Sequence, residues 1–131
     1  MTDMQRLNEM PFARHLGMEF VKVADGESVM RLATQKQHEN MNGKVHGGVL
    51  PALVDAAGAT CILSAVPGGR VITADLRVNF IGGVDSGDTL DVVGRVAHRA
   101  GSTGYASVTV KNGAGDLVAL GQVTCIVRET R

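Results

Sequence analysis

The sequence predicts an α+β fold in which a six-stranded, mostly antiparallel sheet wraps one central helix. Three observations carry that reading. Residues 49–66 are apolar on nearly every face of a helix, so this helix has to be enclosed rather than laid on a surface. Two alternating segments precede it and four follow, and short strands joined by tight turns imply antiparallel pairing. The chain has 131 residues, 44% hydrophobic and 20% charged, an ordinary globular mix that suits one domain over residues 1–131.

Residues 3–16 read as a short helix that Pro11 bends or restarts. Residues 18–24 and 27–33 alternate around Asp25-Gly26, a strong hairpin signal. Residues 34–45 are polar and form a loop. The helix then begins near Val49, with Pro51 tolerated in a first turn whose amides have no intrahelical partner. Pro67-Gly68-Gly69 stops it. Strands are expected over residues 71–81, 89–98, 105–111 and 117–127, separated by the turns at 82–88, 99–104 and 112–116. Segments such as residues 92–98 are only partly polar on alternate positions, and sheet edges need covering. Self-association that continues the sheet or stacks two sheets is therefore expected.

Composition excludes several classes. The formal net charge is zero and there is no Trp, so neither a nucleic-acid groove nor a base-stacking platform is indicated. The run at 49–66 approaches membrane-spanning length, but its Ala content, Asp55 and Pro51 mark a buried helix instead. The first residues lack an apolar signal-peptide core. Cys61 and Cys125 lie in apolar surroundings without metal-ligand spacing, as buried free thiols do in a reducing cytoplasm. No metal or organic cofactor is called for. His15, His38 and His98 have no ligand spacing and read as surface or partly packed residues. The six methionines are scattered, and both core filling and flexible pocket lining fit them.

Asp55 is the only charged residue between Lys44 and Arg70. A lone carboxylate in an apolar segment loses hydration and must be compensated. His46-Gly47-Gly48 stands just before the helix, where the Gly47 and Gly48 amide hydrogens have no intrahelical partner and the positive end of the helix dipole adds to them. Such donors can stabilise an oxyanion on a thioester or ester carbonyl, by about 3 kcal/mol of barrier each. Asp55 lies roughly 10 Å further along the axis. That separation argues against one reaction centre within a single subunit, whereas two subunits with their helices side by side bring the groups together.

The pattern Asn40-x-x-Gly43-x-x-His46-Gly47-Gly48, followed by Leu53-x-Asp55, resembles the hotdog-fold acyl-CoA thioesterases of the phenylacetate-pathway type. The resemblance runs from the first hairpin to Val127. It implies a hotdog fold, hydrolysis of an acyl- or aryl-CoA to the free acid and CoA, and a dimer or dimer of dimers with the site at the dimer interface. Gly47 would donate its amide hydrogen to the thioester oxygen, and His46 would orient that loop or the thioester. Asp55 from the neighbouring subunit would be nucleophile or general base, either role needing its ionised form. Asn40 would position the lytic water or the leaving sulfur, and Thr73 would help hold the water. Gly48, Arg77, Asn79, Arg99, Gly101, Ser102 and Thr103 occupy places comparable to those that hold the coenzyme in similar proteins. Phe80 is followed here by Ile81-Gly82-Gly83 where relatives often carry Pro, so that loop is expected to be loose.

Two other classes fit the same fold. One is a non-catalytic acyl-CoA binder. The other is a hydratase or dehydratase, which needs a His–acid pair aimed at the α and β carbons of the acyl chain, unlike the His46 turn with Asp55. The sequence defines neither the acyl group nor dimer against tetramer.

Overall fold

Asp25 and Gly26 both adopt positive φ, 53° and 80°. This is the backbone a two-residue hairpin turn requires, and Asp-Gly adopts it at little cost. The computed structural model describes residues 3–129; Met1 lies outside them. The hairpin joins β1 (Glu19–Ala24) to β2 (Glu27–Ala33). Before it, α1 (Asp3–Glu9) ends where Met10 is extended, and α2 (Pro11–Leu16) restarts with Pro11 at its first position. The residue before a proline is pushed out of the helical region, so the segment is two helices rather than one bent helix.

The loop after β2 is more ordered than its polarity suggested. It contains a 3-10 turn at Lys36–His38, and His38 is buried rather than partly packed. The Gln35 amide donates to His38 Nδ1 at 2.8 Å, so the protonated Nε2 donates to the Leu16 carbonyl at 2.6 Å.

The central helix, α3, spans Val49–Ser64. The hydroxyl of Ser64 donates to the Cys61 carbonyl and accepts the Gly26 amide hydrogen, which ties the helix end to the hairpin turn. Four strands follow: β3 (Arg70–Phe80), β4 (Thr89–Ala100), β5 (Thr103–Lys111) and β6 (Leu117–Arg128). The β4–β5 turn is shorter than expected. Only Gly101 and Ser102 lie outside strands, and Arg99 and Thr103 are strand residues.

All five pairings are antiparallel, and the strand order is β1-β2-β4-β5-β6-β3. The four later strands are therefore not a simple meander. The helix carries the chain across the sheet, so β3 becomes the far edge and the chain returns to place β4 beside β2. Asn8 pairs its amide with both backbone groups of Phe20, which satisfies part of the β1 edge. Among the described residues β3 pairs with β6 alone, and its other edge is open.

One core holds the described residues together, with α3 at its centre. Leu53, Val54, Ala57 and Cys61 are fully inaccessible; a Leu so buried contributes about 2 kcal/mol. Close approach of helix and sheet depends on Gly58 and Gly121. A Cβ at the first would collide with the Val123 side chain, and at the second with that of Val54. The Ser28 hydroxyl donates to the Ala57 carbonyl at 2.6 Å inside this contact. Met18 and Met30 belong to the core and Met4 packs on it, whereas Met10 and Met41 are exposed.

One stripe of α3 stays only half-buried: Pro51, Ala52, Asp55, Ala56, Ala59 and Leu63. The sheet's outer face exposes Val21, Ile72, Tyr105, Leu120 and Ile126. No helix among the described residues is long and apolar enough to cross a membrane.

Candidate active site

Thr73 and Asp55 meet across the seam between β3 and α3. The Thr73 hydroxyl donates to Asp55 Oδ1 at 2.7 Å. A bulge between Thr73 and Asp75 shifts the register of β3 against β6 just beyond this contact. Thr73 faces the helix opposite Cys125, whose Sγ lies 3.9 Å from the hydroxyl. Both Thr73 and Asp55 are half-buried. Burial raises the Cys125 thiol above its ordinary value and the Asp55 charge adds to this, against the Thr73 hydrogen bond. Cys125 therefore stays protonated beside the pair. Among the described residues Thr73 is the one side chain bonded to the Asp55 carboxylate.

The start of α3 forms a second cluster. Gly48 caps the helix without a side chain. Its amide hydrogen is not free, as the sequence had suggested, but is donated to His46 Nδ1 at 2.8 Å. The imidazole folds back on the turn because the ring nitrogen is the nearest acceptor for an orphan helix amide. The Val49 amide donates to the His46 carbonyl at 3.0 Å. Gly47 makes no hydrogen bond through its amide among the described residues, so it keeps a donor at the positive end of the helix. Gly47 is exposed, and a Cβ there would approach only Phe80 Cε1, at 3.9 Å.

Asn40 sits just upstream, and its Oδ1 accepts the amide hydrogens of Asn42 and Lys44. That side chain organises its own loop. Loop 81–88 backs it: Lys44 pairs with Asp85, and the Val45 amide donates to the Val84 carbonyl. This loop is not loose at its start, because the Ile81 and Gly82 amides both donate to the Val118 carbonyl.

The structure thus unites Asp55 with Thr73, and His46 with Gly47 and Gly48. It does not bring the two groups together in one chain, since eight residues separate Gly47 from Asp55 and a helix rises about 1.5 Å per residue.

The residues expected to hold the coenzyme lie in two places. Arg77 and Asn79 are exposed on the outer side of β3, where Arg77 Nε pairs with Asp75 at 3.1 Å. Arg99, Gly101, Ser102 and Thr103 surround the β4–β5 turn, where Arg99 pairs with Glu129 at 2.7 Å. Thr103 is opposite Ile126 and Arg77 opposite Gln122. The two places are therefore about 13 Å apart along the sheet. Cys125 and Phe80, absent from the expected set, are neighbours of the site. Their inward register on β6 and β3 was the signal available for them.

Comparison with known proteins gives the following. The family model described as the thioesterase superfamily matches residues 42–119. The human acyl-coenzyme A thioesterase 13 is 26% identical over 115 residues, covering 86% of this chain and 82% of that protein. The acyl-coenzyme A thioesterase PaaI of Escherichia coli is 28% identical over 108 residues, covering 82% and 76%. Among solved structures, a Streptococcus mutans protein bound to acetyl CoA superposes with a TM-score of 0.80 at 26% identity, covering 87% of this chain and 90% of that one.

Proposed function

The chain belongs to the thioesterase superfamily, and on that premise we propose that it is a hydrolase releasing a free acid and CoA from an acyl- or aryl-CoA thioester. The observation that carries the proposal is the Thr73–Asp55 hydrogen bond beneath a half-buried helix face. The names of the human and E. coli relatives support a CoA thioester as substrate.

In this reading Asp55 acts ionised. Thr73 occupies Oδ1 and fixes the carboxylate plane, leaving Oδ2 to take a proton from water or to attack the carbonyl. The oxygen of the tetrahedral intermediate accepts the Gly47 amide hydrogen, and the helix dipole stabilises its charge. His46 holds that turn through Gly48. Collapse of the intermediate breaks the carbon–sulfur bond and expels CoA as its thiolate, which takes up a proton; where Asp55 is the nucleophile, water then hydrolyses the acyl–Asp55 anhydride to release the acid and restore the carboxylate. Asn40, in the loop that leads into the Gly47 turn, is the candidate for positioning the water or the leaving sulfur. Gly48, Arg77, Asn79, Arg99, Gly101, Ser102 and Thr103 are the candidates for holding the coenzyme.

Gly47 and Asp55 then come from different subunits. Three features support a dimer: the open edge of β3, the half-buried stripe of α3, and the roughly 10 Å of helix axis between the start of α3 and Asp55. The exposed apolar outer face supports a further stacking of dimers. Two unpaired buried thiols fit a reducing compartment such as the cytoplasm.

The test is a thiol-release screen over short, medium, long-chain and aromatic CoA thioesters, with wild type and Asp55→Ala. Release by the wild type and its loss in the folded variant are expected. Equal rates in both would remove Asp55 from the reaction. Binding without release would make the protein a non-catalytic acyl-CoA binder.

A further inference from the structure

Of the buried polar side chains Ser28, Thr34, His38 and Thr60, only His38 carries a basic group. Burying an imidazole costs free energy unless its ring nitrogens find partners. Here both do: Nδ1 accepts the Gln35 amide hydrogen, and Nε2 donates to the Leu16 carbonyl at the end of α2. The ring therefore ties the 3-10 turn at Lys36–His38 to a helix that ends far earlier in the chain. The opposite side of this segment is held by loop 81–88, where the Ser86 hydroxyl donates to Glu39 and the Gly87 amide donates to the Thr34 hydroxyl.

The same residue reaches the Gly47 turn through its main chain. The His38 carbonyl accepts the His46 amide hydrogen at 2.7 Å. Next to this contact Glu39 bridges Val45, and the Asn40 amide donates to the Lys44 carbonyl. Residues 38–40 and 44–46 thus form a short antiparallel ladder that delivers His46-Gly47-Gly48 to the start of α3. The Gly47 N–H belongs to the peptide unit that contains the His46 carbonyl, and a peptide unit is planar. Whatever holds His46 therefore sets the direction of that N–H. His46 is held at three points: its amide by His38, its carbonyl by the Val49 amide at 3.0 Å, and its ring by the Gly48 amide at 2.8 Å.

We infer that His38 is a positioning residue for hydrolysis: its buried imidazole anchors the ladder to α2 and so keeps the Gly47 N–H aimed at the developing oxyanion. This rests on the thioesterase reading above. His38 touches no reacting atom and acts through His46. Without the ring, the ladder is free to pivot on loop 81–88, and a misdirected N–H is a weaker donor. The thioester oxygen gains its negative charge on the way to the tetrahedral intermediate, so the loss falls on kcat and spares KM.

The experiment has two arms. The first is a double-variant cycle, read as thiol release from the best CoA thioester of the screen, with kcat and KM separated. His38→Phe keeps a ring and deletes both hydrogen bonds, whereas His38→Asn keeps an acceptor near the place of Nδ1. His38→Phe should lower kcat by about tenfold and change KM by less than about threefold. His38→Asn should recover most of that loss. In a Gly47→Pro background there is no N–H left to aim, so adding His38→Phe should cost less than about twofold. In a Thr73→Ala background, which alters the carboxylate end, it should still cost about tenfold. A residue that only supports the fold would show the same loss in both backgrounds, and that result would overturn the inference. Wild-type kcat in His38→Phe would overturn it too.

The second arm needs no turnover. Amide hydrogen exchange, followed by NMR, is compared at His46 and Gly48 and at Val123 in the core. In His38→Phe the first two should exchange at least about tenfold faster while Val123 keeps its wild-type rate. Unchanged exchange at His46, or equal acceleration at Val123, would count against the inference. His38→Asn and His38→Gln, each keeping one of the two bonds, carry both arms with smaller effects of the same pattern if His38→Phe does not fold. No thiol release from any substrate by the wild type would sink the thioesterase reading, and the exchange arm would still decide whether His38 fixes the turn.

Discussion

The Thr73 hydroxyl donates a 2.7 Å hydrogen bond to Asp55, eighteen residues earlier in the chain. It joins the open edge strand to the central helix at the one charged position of that helix. A hydrogen bond to a carboxylate is worth about 1.5–3 kcal/mol and is lost when the donor is truncated. Thr73→Ala should therefore lower kcat by roughly tenfold to a hundredfold, whereas Thr73→Ser should keep most of it. Steady-state thiol release on both variants decides this, and equal loss in both would mean that the hydroxyl is not the operative group.

Asp55→Asn keeps the size of the side chain and removes its charge. The expected loss in kcat is about two to four orders of magnitude, as for a general base or nucleophile. The melting temperature should fall little or rise, because a half-buried charge is removed. A variant that melts like wild type and retains full turnover would contradict the assigned role.

At Gly47 the amide and the missing side chain can be separated. Gly47→Ala keeps the N–H and meets nothing nearer than Phe80 at 3.9 Å, so it should fold normally. Gly47→Pro removes the N–H and should cost about a hundredfold in kcat beyond any effect of the alanine. Circular dichroism of both proteins checks that the turn at His46 survives. Equal kinetics for the two would exclude the amide as oxyanion donor.

Burial, with Cys125 beside it, pushes the Cys61 thiol up to about 12 from an ordinary 9.0. An acid whose folded pKa is raised favours the folded state fully below the unfolded value. That stabilisation is lost as pH climbs from 9.0 toward 12. Over this window the group should remove about 1.4 kcal/mol of stability per pH unit. Denaturant melts between pH 7 and 11 should show the decline, and Cys61→Ala should make it shallower despite a lower starting stability, the raised Cys125 thiol keeping part of it. Parallel curves for the two proteins would assign the decline to other groups.

Gly58 and Gly121 predict overpacking. Gly58→Ala and Gly121→Ala each place a methyl against a Val side chain at the helix–sheet contact. Each should destabilise by about 1–3 kcal/mol. Urea unfolding measures it, and a change below a few tenths would mean that the helix can lift without cost.

The enclosed helix and the strands were legible because their periodicities differ and because Asp25-Gly26 and Pro67-Gly68-Gly69 punctuate them. Strand order was not, since alternation says which face of β3 is buried but not which strand lies beside it. The same limit applied at the site. Asp55 stood out by its charge, and Thr73 entered through family likeness. The pairing of Gly48 with His46 depends on a ring folding back over two residues, which spacing does not encode. His38 was read as a surface or partly packed residue because nothing in the sequence reveals that the Leu16 carbonyl waits for it.

β3 holds Thr73 toward the helix and offers an unpaired backbone edge along the same stretch of chain. If that edge is where a second copy joins, turnover becomes a matter of protein concentration. Far below the dissociation constant most molecules are solitary, and the rate in the assay should scale with the square of the enzyme added. Above it the dependence should become linear. A dilution series then reads the strength of the strand pairing directly from kinetics, and Thr73 variants that also weaken the edge should shift the crossover to higher concentration.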